Sequence, residues 1–233
     1  MNTPLPQNRL RAELDRVSGL RERAHEDEVY RARRTAFRAW QAQRLARTHA
    51  DLLASPRFHD AAQFFLSDLY GPQDISAHAD DVKRIVPAMV KMLPAAAIDT
   101  VADAIELDAL SEDLDSAMIA ALGSETSDLS TSAYAEAYRK VGRRADRGRQ
   151  IDLIAHLGNS LDSLTRQKFI GAALKMMRKP AELAGLGGLQ SFLERGYAAF
   201  RTMRGGSEFV AAIAERERSI SLALFCGEDA ALA

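Results

Sequence analysis

Apolar residues recur at helical spacing along most of the chain, and no stretch alternates apolar and polar residues as a half-buried strand would. The densest apolar stretch is 57–74, RFHDAAQFFLSDLYGPQD, which we interpret as a short buried helix at the centre of the fold. Gly71 and Pro72 predict its end, because glycine accepts a left-handed backbone and proline cannot continue a helix. The pattern predicts an all-α protein, a multi-helix bundle of about eight helices.

The first helix is predicted to be long, because the chain from Asn8 to about Ala54 has no proline and one glycine, Gly19. Counted only from Leu20 to Ala54, it would extend about 50 Å at 1.5 Å per residue. A compact domain of this size is about 45 Å across. The apolar residues at the free end would then be exposed; they are Leu10, Leu14 and Val17. We therefore expect a homo-oligomer formed through the N-terminal helix, unless the helix kinks at Gly19 and folds back.

The remaining helices are bounded by proline, glycine and polar segments. After the central stretch we expect a helix with a kink at Pro87, and then a helix from Pro94 to Leu122 that Gly123 ends. Five more helices are expected near 132–142, 146–164, 166–178, 189–203 and 207–225. The polar segment 124–131, SETSDLST, is the predicted linker between an N-terminal half, 1–123, and a C-terminal half, 132–233. One compact domain is the alternative.

Charge is segregated along the chain although the formal net charge is −1. Residues 1–47 hold 11 Arg/Lys and 6 Asp/Glu, residues 48–130 hold 4 and 15, and residues 131–233 hold 16 and 11. We interpret the three blocks as meeting one another within the fold, with Asp99, Asp103 and Asp113 near arginines of the other blocks. The acidic block also argues against nucleic acid as a partner, because it would repel phosphate.

The sequence contains no recognisable signal for secretion or for insertion into a membrane. Its start, MNTPLPQNRLRAEL, lacks the apolar core of a signal peptide, and no apolar run reaches the length of a membrane span. The single cysteine, Cys226, excludes an internal disulfide and a zinc site built from several cysteines. The sequence therefore predicts a cytoplasmic protein with no membrane partner.

Four polar residues could form a pocket beside the central helix. His59, Asp68 and Tyr70 lie on or next to that helix, and an imidazole, a carboxylate and a phenol can together act as a general acid–base group. His156 lies on an apolar helix face and could bind haem iron, with Asp152 four residues earlier fixing its tautomer. The structural alternative is that each of these side chains is an ordinary partner in a hydrogen bond or ion pair.

Other catalytic and metal-binding patterns are absent from the sequence. Glu22-Arg23-Ala24-His25 is the one Glu-x-x-His, whereas a di-iron bundle needs two. No G-x-S-x-G motif is present, and the glycines at 185–188 do not form G-x-G-x-x-G. The basic run 143–149 lacks the interleaved aromatic residues that would stack on bases. No cofactor, no metal and no catalytic residue is predicted.

Three short sequence motifs resemble those of a known family. They are FFLSDLYGP at 64–72, FLERGY at 192–197 and AERERSI at 214–220. Through these motifs the chain resembles a family of uncharacterised bacterial proteins of unknown function, and the resemblance extends from about Tyr30 to Gly227. The resemblance implies a helical fold and a bacterial cytoplasm. It implies no activity, cofactor or catalytic residue.

The sequence favours a non-enzymatic, cytoplasmic helical binding or interaction module that associates with itself. The alternative is a small-molecule or cofactor binder, for haem or a metal, or an enzyme, with the pocket around His59, Asp68, Tyr70 and His156. A filled core favours the first interpretation, and a cavity lined by these polar groups favours the second.

Overall fold

The computed structural model of the protein describes residues 8–16, 19, 27–69, 95–123, 126, 128–183 and 187–232. Every regular element in these ranges is a helix, and no strand occurs in them. The predicted all-α bundle is therefore confirmed. The expected glycine–proline stop after the central helix and the expected kink at Pro87 lie outside the described residues.

The helices are numbered in chain order as follows: α1 at 8–16, α2 at Glu28–Thr48, α3 at Ala50–Ala54, α4 at His59–Phe64, α5 at Ala95–Leu122, α6 at Thr131–Val141, α7 at Arg144–Thr165, α8 at Lys168–Leu183, α9 at Gly187–Met203 and α10 at Ser207–Cys226. A π-helical turn, Phe65–Leu69, extends α4, and a short 3-10 helix, Asp229–Leu232, follows α10. Gly123 ends α5 at φ 58° and Gly227 ends α10 at φ 88°, as the left-handed backbone of a helix end favours glycine.

The long N-terminal helix was a wrong prediction. Asp27 has an extended backbone, and its side chain accepts a hydrogen bond from the backbone N–H of Tyr30, so it caps the start of α2. The preceding α1 packs on α5, where Leu10 and Leu14 are fully buried against Ile98 and Ile105. Leu10 and Leu14, which we expected to be exposed, are therefore covered by the chain's own fifth helix, and Val17 lies outside the described residues.

The helix before Pro180 is also longer than predicted. We expected it to end near residue 178, but α8 continues through Pro180 to Leu183. A proline inside a helix removes one backbone hydrogen bond and crowds the preceding turn. Pro180 is exposed and lies in the last turn of α8, where little helix remains beyond it.

The central stretch is the core of the molecule, as its apolar density predicts. Phe64 and Phe65 are 5% and 6% exposed although they are adjacent in sequence. Phe64 packs on Phe192 with ring centroids 5.2 Å apart, and Phe65 packs on Phe200 and Phe209 at 5.9 and 5.7 Å. The π turn that begins at Phe65 holds five residues, Phe65–Leu69. This segment thus directs both rings into one cluster with α5, α7, α9 and α10.

A second large cluster joins the two sides of the polar segment 124–131. Phe37 of α2 and Met118 of α5 pack with Tyr134 of α6 and Leu224 of α10. Ser130 caps α6 by accepting a hydrogen bond from the backbone N–H of Ala133 at 3.1 Å. The division of the chain into two halves stays a prediction, and this cluster contains residues from both halves.

Candidate functional site

A cavity of about 70 Å³ lies between α2, α4, α6, α7 and α10. One wall is apolar and includes Leu52, Phe65 and Phe209. The other wall is polar, and its charged or ionisable residues are Arg44, His49, Arg147 and Glu217. The cavity therefore offers an apolar side and a charged side to anything that enters it.

The polar wall is built from helical positions that would otherwise hold core residues. On α10, Glu217 continues the inward face of Phe209 and Ile213 at intervals of four residues. On α7, Arg147 precedes Ile151 by four residues, also on the lining face. Charged side chains thus take positions in two apolar stripes, and this is how the fold buries them.

Glu217 links two neighbours at the polar wall. Its oxygens accept hydrogen bonds from Nη1 of Arg44 at 2.6 and 2.7 Å, and its Oε1 lies 3.1 Å from Nε2 of His49. Burial favours the neutral carboxyl, but the charge of Arg44 and the hydrogen bonds from His49 and Arg44 outweigh it. Together they lower the pKa of Glu217 from 4.5 to about 2. Glu217 is therefore ionised at neutral pH.

His49 is 5% exposed and presents one ring nitrogen without a partner. The ionised carboxylate of Glu217 can only accept hydrogen bonds, so Nε2 of His49 carries the hydrogen that lies between them. In the neutral ring, Nδ1 is then an acceptor. Nδ1 is buried and has no hydrogen-bond partner, so His49 with a neutral ring supplies an unused acceptor to the lining of the cavity.

Arg147 is 7% exposed and presents an unused donor. Its Nη1 donates to Oε1 of Gln150 at 3.3 Å, and its guanidinium lies 4.8 Å from the ring centroid of Tyr138. Its Nη2 is buried and has no hydrogen-bond partner, and no described carboxylate forms an ion pair with it. A buried guanidinium nitrogen in this state is costly, because it has left water without gaining a replacement hydrogen bond.

The arginines of α2 near the cavity are paired with carboxylates. Arg34 donates to Glu112 of α5 at 2.6 and 2.7 Å, and Nε of Arg38 lies 3.5 Å from Asp115 of α5. Burial raises the pKa of Asp115, against the charges of Arg38 and Arg147. Arg44 pairs with Glu217, whereas Arg147 forms no ion pair with a described carboxylate.

A second, smaller cavity of about 40 Å³ adjoins the first. Both are lined by Arg44, Tyr134, Arg147 and Glu217, among others. The second cavity continues towards Ser221 and Leu232. The charged side chains of Arg44, Arg147 and Glu217 thus contribute to the lining of both cavities.

The chain matches a family model along most of its length. The model is described as Domain of unknown function (DUF8198), and it matches residues 20–231. The chain belongs to this family. The predicted resemblance to a family of unknown function is confirmed at that level, whereas a bacterial origin stays a prediction. No curated protein matches the chain, and no solved structure matches it.

The helices and the polar side chains of this DUF8198 chain bear on membranes and metals. In the part of the chain that the structure describes, no helix combines the length and the apolar character needed to cross a bilayer. The same residues contain no group of three or more His, Cys, Asp or Glu side chains placed to hold a metal ion. The absence of a metal or cofactor site in the whole chain stays a prediction.

The four predicted pocket residues do not line either cavity where the structure describes them. His59 is exposed at the start of α4, and its Nδ1 donates to the carbonyl oxygen of Leu53 at 2.7 Å. The side chain of His156 is 67% exposed. The side chain of Asp68 and the whole of Tyr70 lie outside the described residues. Any function of these four residues stays a prediction.

The expected pairing of His156 with Asp152 is wrong. Nε2 of His156 lies 3.2 Å from Asp103 of α5, whereas Asp152 accepts a hydrogen bond from Arg218 of α10 at 2.7 Å. The reason is that α7 packs between α5 and α10. Each side chain therefore meets the helix on its own side.

Sequence reasoning did not find the residues that line the cavity. His49 and Glu217 are 168 positions apart, so no local pattern joins them. Arg147 did leave a signal, because it lies at helical spacing from Ile151 and Ile154 on one buried face. A charged residue inside an apolar stripe indicates a buried charge. Arg147, however, lies in the basic run 143–149, and such a run is typical of an exposed surface.

Proposed function

We propose that this DUF8198 chain is a binding protein for a small molecule that enters the cavity between α2, α7 and α10. The observation that carries the proposal is that Arg147, a residue of the cavity lining, has a buried Nη2 atom without a hydrogen-bond partner. Buried polar groups in folded proteins are almost always paired, and the exceptions tend to mark functional sites. A bound molecule would supply the partner.

The size of the cavity supports a small ligand. A cavity of about 150 Å³ accepts benzene, and one water needs only about 10–15 Å³. A cavity of about 70 Å³ therefore suits a molecule of about three to six non-hydrogen atoms, or several waters. The central stretch contributes Ala62, Phe65 and Leu66 to the lining, so the pocket lies beside the central helix, on other residues than the sequence suggested.

The test is a search for a bound molecule without choosing it in advance. Protein purified without added small molecules is examined by native mass spectrometry, and any species released on denaturation is identified. We expect a bound species of low mass. Leu66→Trp, which places a larger side chain at the half-buried edge of the cavity, should reduce its occupancy at least tenfold.

The matched control is Leu222→Trp, because Leu222 is 57% exposed on α10 and does not line the cavity. It should leave the bound species unchanged. If the purified chain carries no small molecule, and no compound in a broad screen of small polar molecules raises its melting temperature, the proposed function is wrong.

We also propose a bacterial, cytoplasmic setting and self-association as a homodimer. The support for a bacterial cytoplasm is the resemblance of the chain to uncharacterised bacterial proteins, together with its single cysteine. The proposal of a dimer through the N-terminal helix has lost its geometric premise, because Leu10 and Leu14 are buried within the same chain. Among the described residues of the N-terminal region, Val29 of α2 is an exposed apolar residue, with 60% of its surface accessible.

A further inference from the structure

Arg147 and His49 each bring to the cavity lining a buried nitrogen without a hydrogen-bond partner. Nη2 of Arg147 is a donor that needs an acceptor, whereas Nδ1 of the neutral His49 ring is an acceptor that needs a donor. A ligand that satisfies both atoms carries an acceptor group and a donor group. Guanidinium groups pair best with carboxylates and phosphates, because their hydrogen bonds to an ionised acceptor are the stronger kind.

Charge decides between the possible acceptors. Arg147 is buried in the cavity lining and forms no ion pair with a described carboxylate, so an anion is favoured over a neutral molecule. Glu217 lines the same cavity and is ionised, so a second negative charge on the ligand would be repelled. A monoanion therefore fits, whereas a phosphate dianion does not.

The apolar wall restricts the rest of the ligand. Leu52, Phe65 and Phe209 offer no hydrogen-bond partner, so the part of the ligand that faces them is hydrocarbon. A cavity of about 70 Å³ leaves room for only about two to four carbons in total.

We infer, on the basis of the proposed binding function, that the ligand is a short-chain hydroxycarboxylate. Its carboxylate accepts a hydrogen bond from Nη2 of Arg147, its hydroxyl donates to Nδ1 of His49, and its carbon chain faces the apolar wall. Glu217, held by Arg44, positions His49 and contributes the negative charge that limits the ligand to a monoanion.

The probes for this inference are lactate, propionate and lactamide, each titrated into the full chain by calorimetry. Propionate lacks the hydroxyl, and lactamide lacks the charge. We expect lactate to bind about 3–10 times more tightly than propionate, because one neutral hydrogen bond is lost. Lactamide should bind at least tenfold more weakly than lactate, because a hydrogen bond to a charged group is lost.

Two variants assign these differences to the two atoms. Arg147→Gln should weaken lactate and propionate alike by about 10–100-fold. His49→Phe should remove the preference for lactate over propionate. The matched control is Arg149→Gln, because Arg149 is on the same helix but is exposed and pairs with Glu106 at 2.6 Å outside the cavity. It should leave all three affinities unchanged, and circular dichroism checks that each variant is folded.

The outcomes separate this inference from the proposed function. Equal binding of lactamide and lactate overturns the carboxylate, and equal binding of propionate and lactate overturns the hydroxyl. If none of the three probes binds but a different small molecule is found in the purified chain, the ligand class is wrong and the binding function stands. If Arg147→Gln leaves lactate binding unchanged, the site itself is wrong.

Discussion

Arg44 and Arg147 line the same cavity but differ in what surrounds their guanidinium groups. Arg44 donates from Nη1 to both oxygens of Glu217, whereas Arg147 lies beside Tyr138 and Gln150 and forms no ion pair with a described carboxylate. A buried charge is tolerated when it is paired and hydrogen-bonded. At the scale of single residues, Arg44 is therefore a structural partner and Arg147 is the group available to a ligand.

The low pKa of Glu217 predicts a loss of stability in acid. Its pKa is about 2 in the folded chain and about 4.5 when unfolded, so its contribution is present above pH 4.5 and is lost as the pH falls towards 2. Glu217→Gln lacks this contribution at every pH. The original chain should therefore lose about 2 kcal/mol of its free energy of unfolding, relative to the variant, as the pH falls from 7 to 3.

Urea unfolding at several pH values measures this difference. Glu215→Gln is the control, because Glu215 is exposed on the same helix. The free energies of unfolding of Glu215→Gln and of the original chain should not approach each other between pH 7 and pH 3. A difference for Glu217→Gln that stays constant from pH 7 to pH 3 would contradict the ionised pair.

The sequence could not show the polar wall because its members come together only through packing. His49 lies at the junction of α2 and α3, and Glu217 lies in the middle of α10. Burial of the central aromatic residues was predictable, since apolar density reports burial directly. Partners for individual polar groups depend on which helices become neighbours, and a single sequence contains little of that information.

At the scale of elements, helix ends marked by capping residues were predictable and helix continuity was not. Gly123 ends α5 as expected, and α6 to α10 lie close to their predicted positions. The prediction of a long first helix was wrong because a segment without proline need not form one unbroken helix. Asp27 can cap a new helix, and burying Leu10 and Leu14 on α5 favours a separate α1 over an exposed one.

Close approach of α7 and α10 makes Gly158 sensitive to substitution. A Cβ atom added at Gly158 would lie 2.5 Å from Cγ2 of Val210, whereas one added at Gly148 on the same helix would meet nothing within 4 Å. Gly158→Ala should lower the free energy of unfolding by about 1–3 kcal/mol through overpacking. Gly148→Ala should raise it by about 0.5–1 kcal/mol, because alanine favours a helix interior.

Urea unfolding of the two variants measures both effects. Adding Val210→Ala to Gly158→Ala removes the obstructing methyl groups and should recover part of the loss. If Gly158→Ala is as stable as Gly148→Ala, the two helices do not approach as closely as described.

At the scale of the whole molecule, the three charge blocks meet one another as their signs suggest. Arg9 of α1 pairs with Asp103 and Glu106 of α5, and Arg143 pairs with Asp113 at 2.8 Å. Asp99 forms no ion pair with another described residue. Opposite charge could thus predict which blocks face each other, but not which side chains pair, because exposed pairs contribute only about 0–1 kcal/mol each.

Self-association through the N-terminal region is a prediction of molecular mass. Light scattering of the full chain should give about twice the monomer mass of 25.5 kDa. Val29→Glu places a charge on an exposed apolar position of that region and should shift the mass towards the monomer. Leu222→Glu, at a similarly exposed position on α10, should leave it unchanged.

A monomer in every case would contradict self-association altogether. A dimer that tolerates Val29→Glu but is dissociated by Leu222→Glu would place the contact on α10 instead of the N-terminal region.

The π turn at Phe65–Leu69 also bears on how such a chain can change over generations. A π turn holds one residue more than the same turn of an α-helix, so it behaves as a single-residue insertion that the fold has absorbed. A deletion there would restore a regular helix and rotate one side of it by about 100° relative to the other. Leu66, which lines the cavity, would then leave its present position. Relatives that keep the cavity should therefore keep the length of this turn.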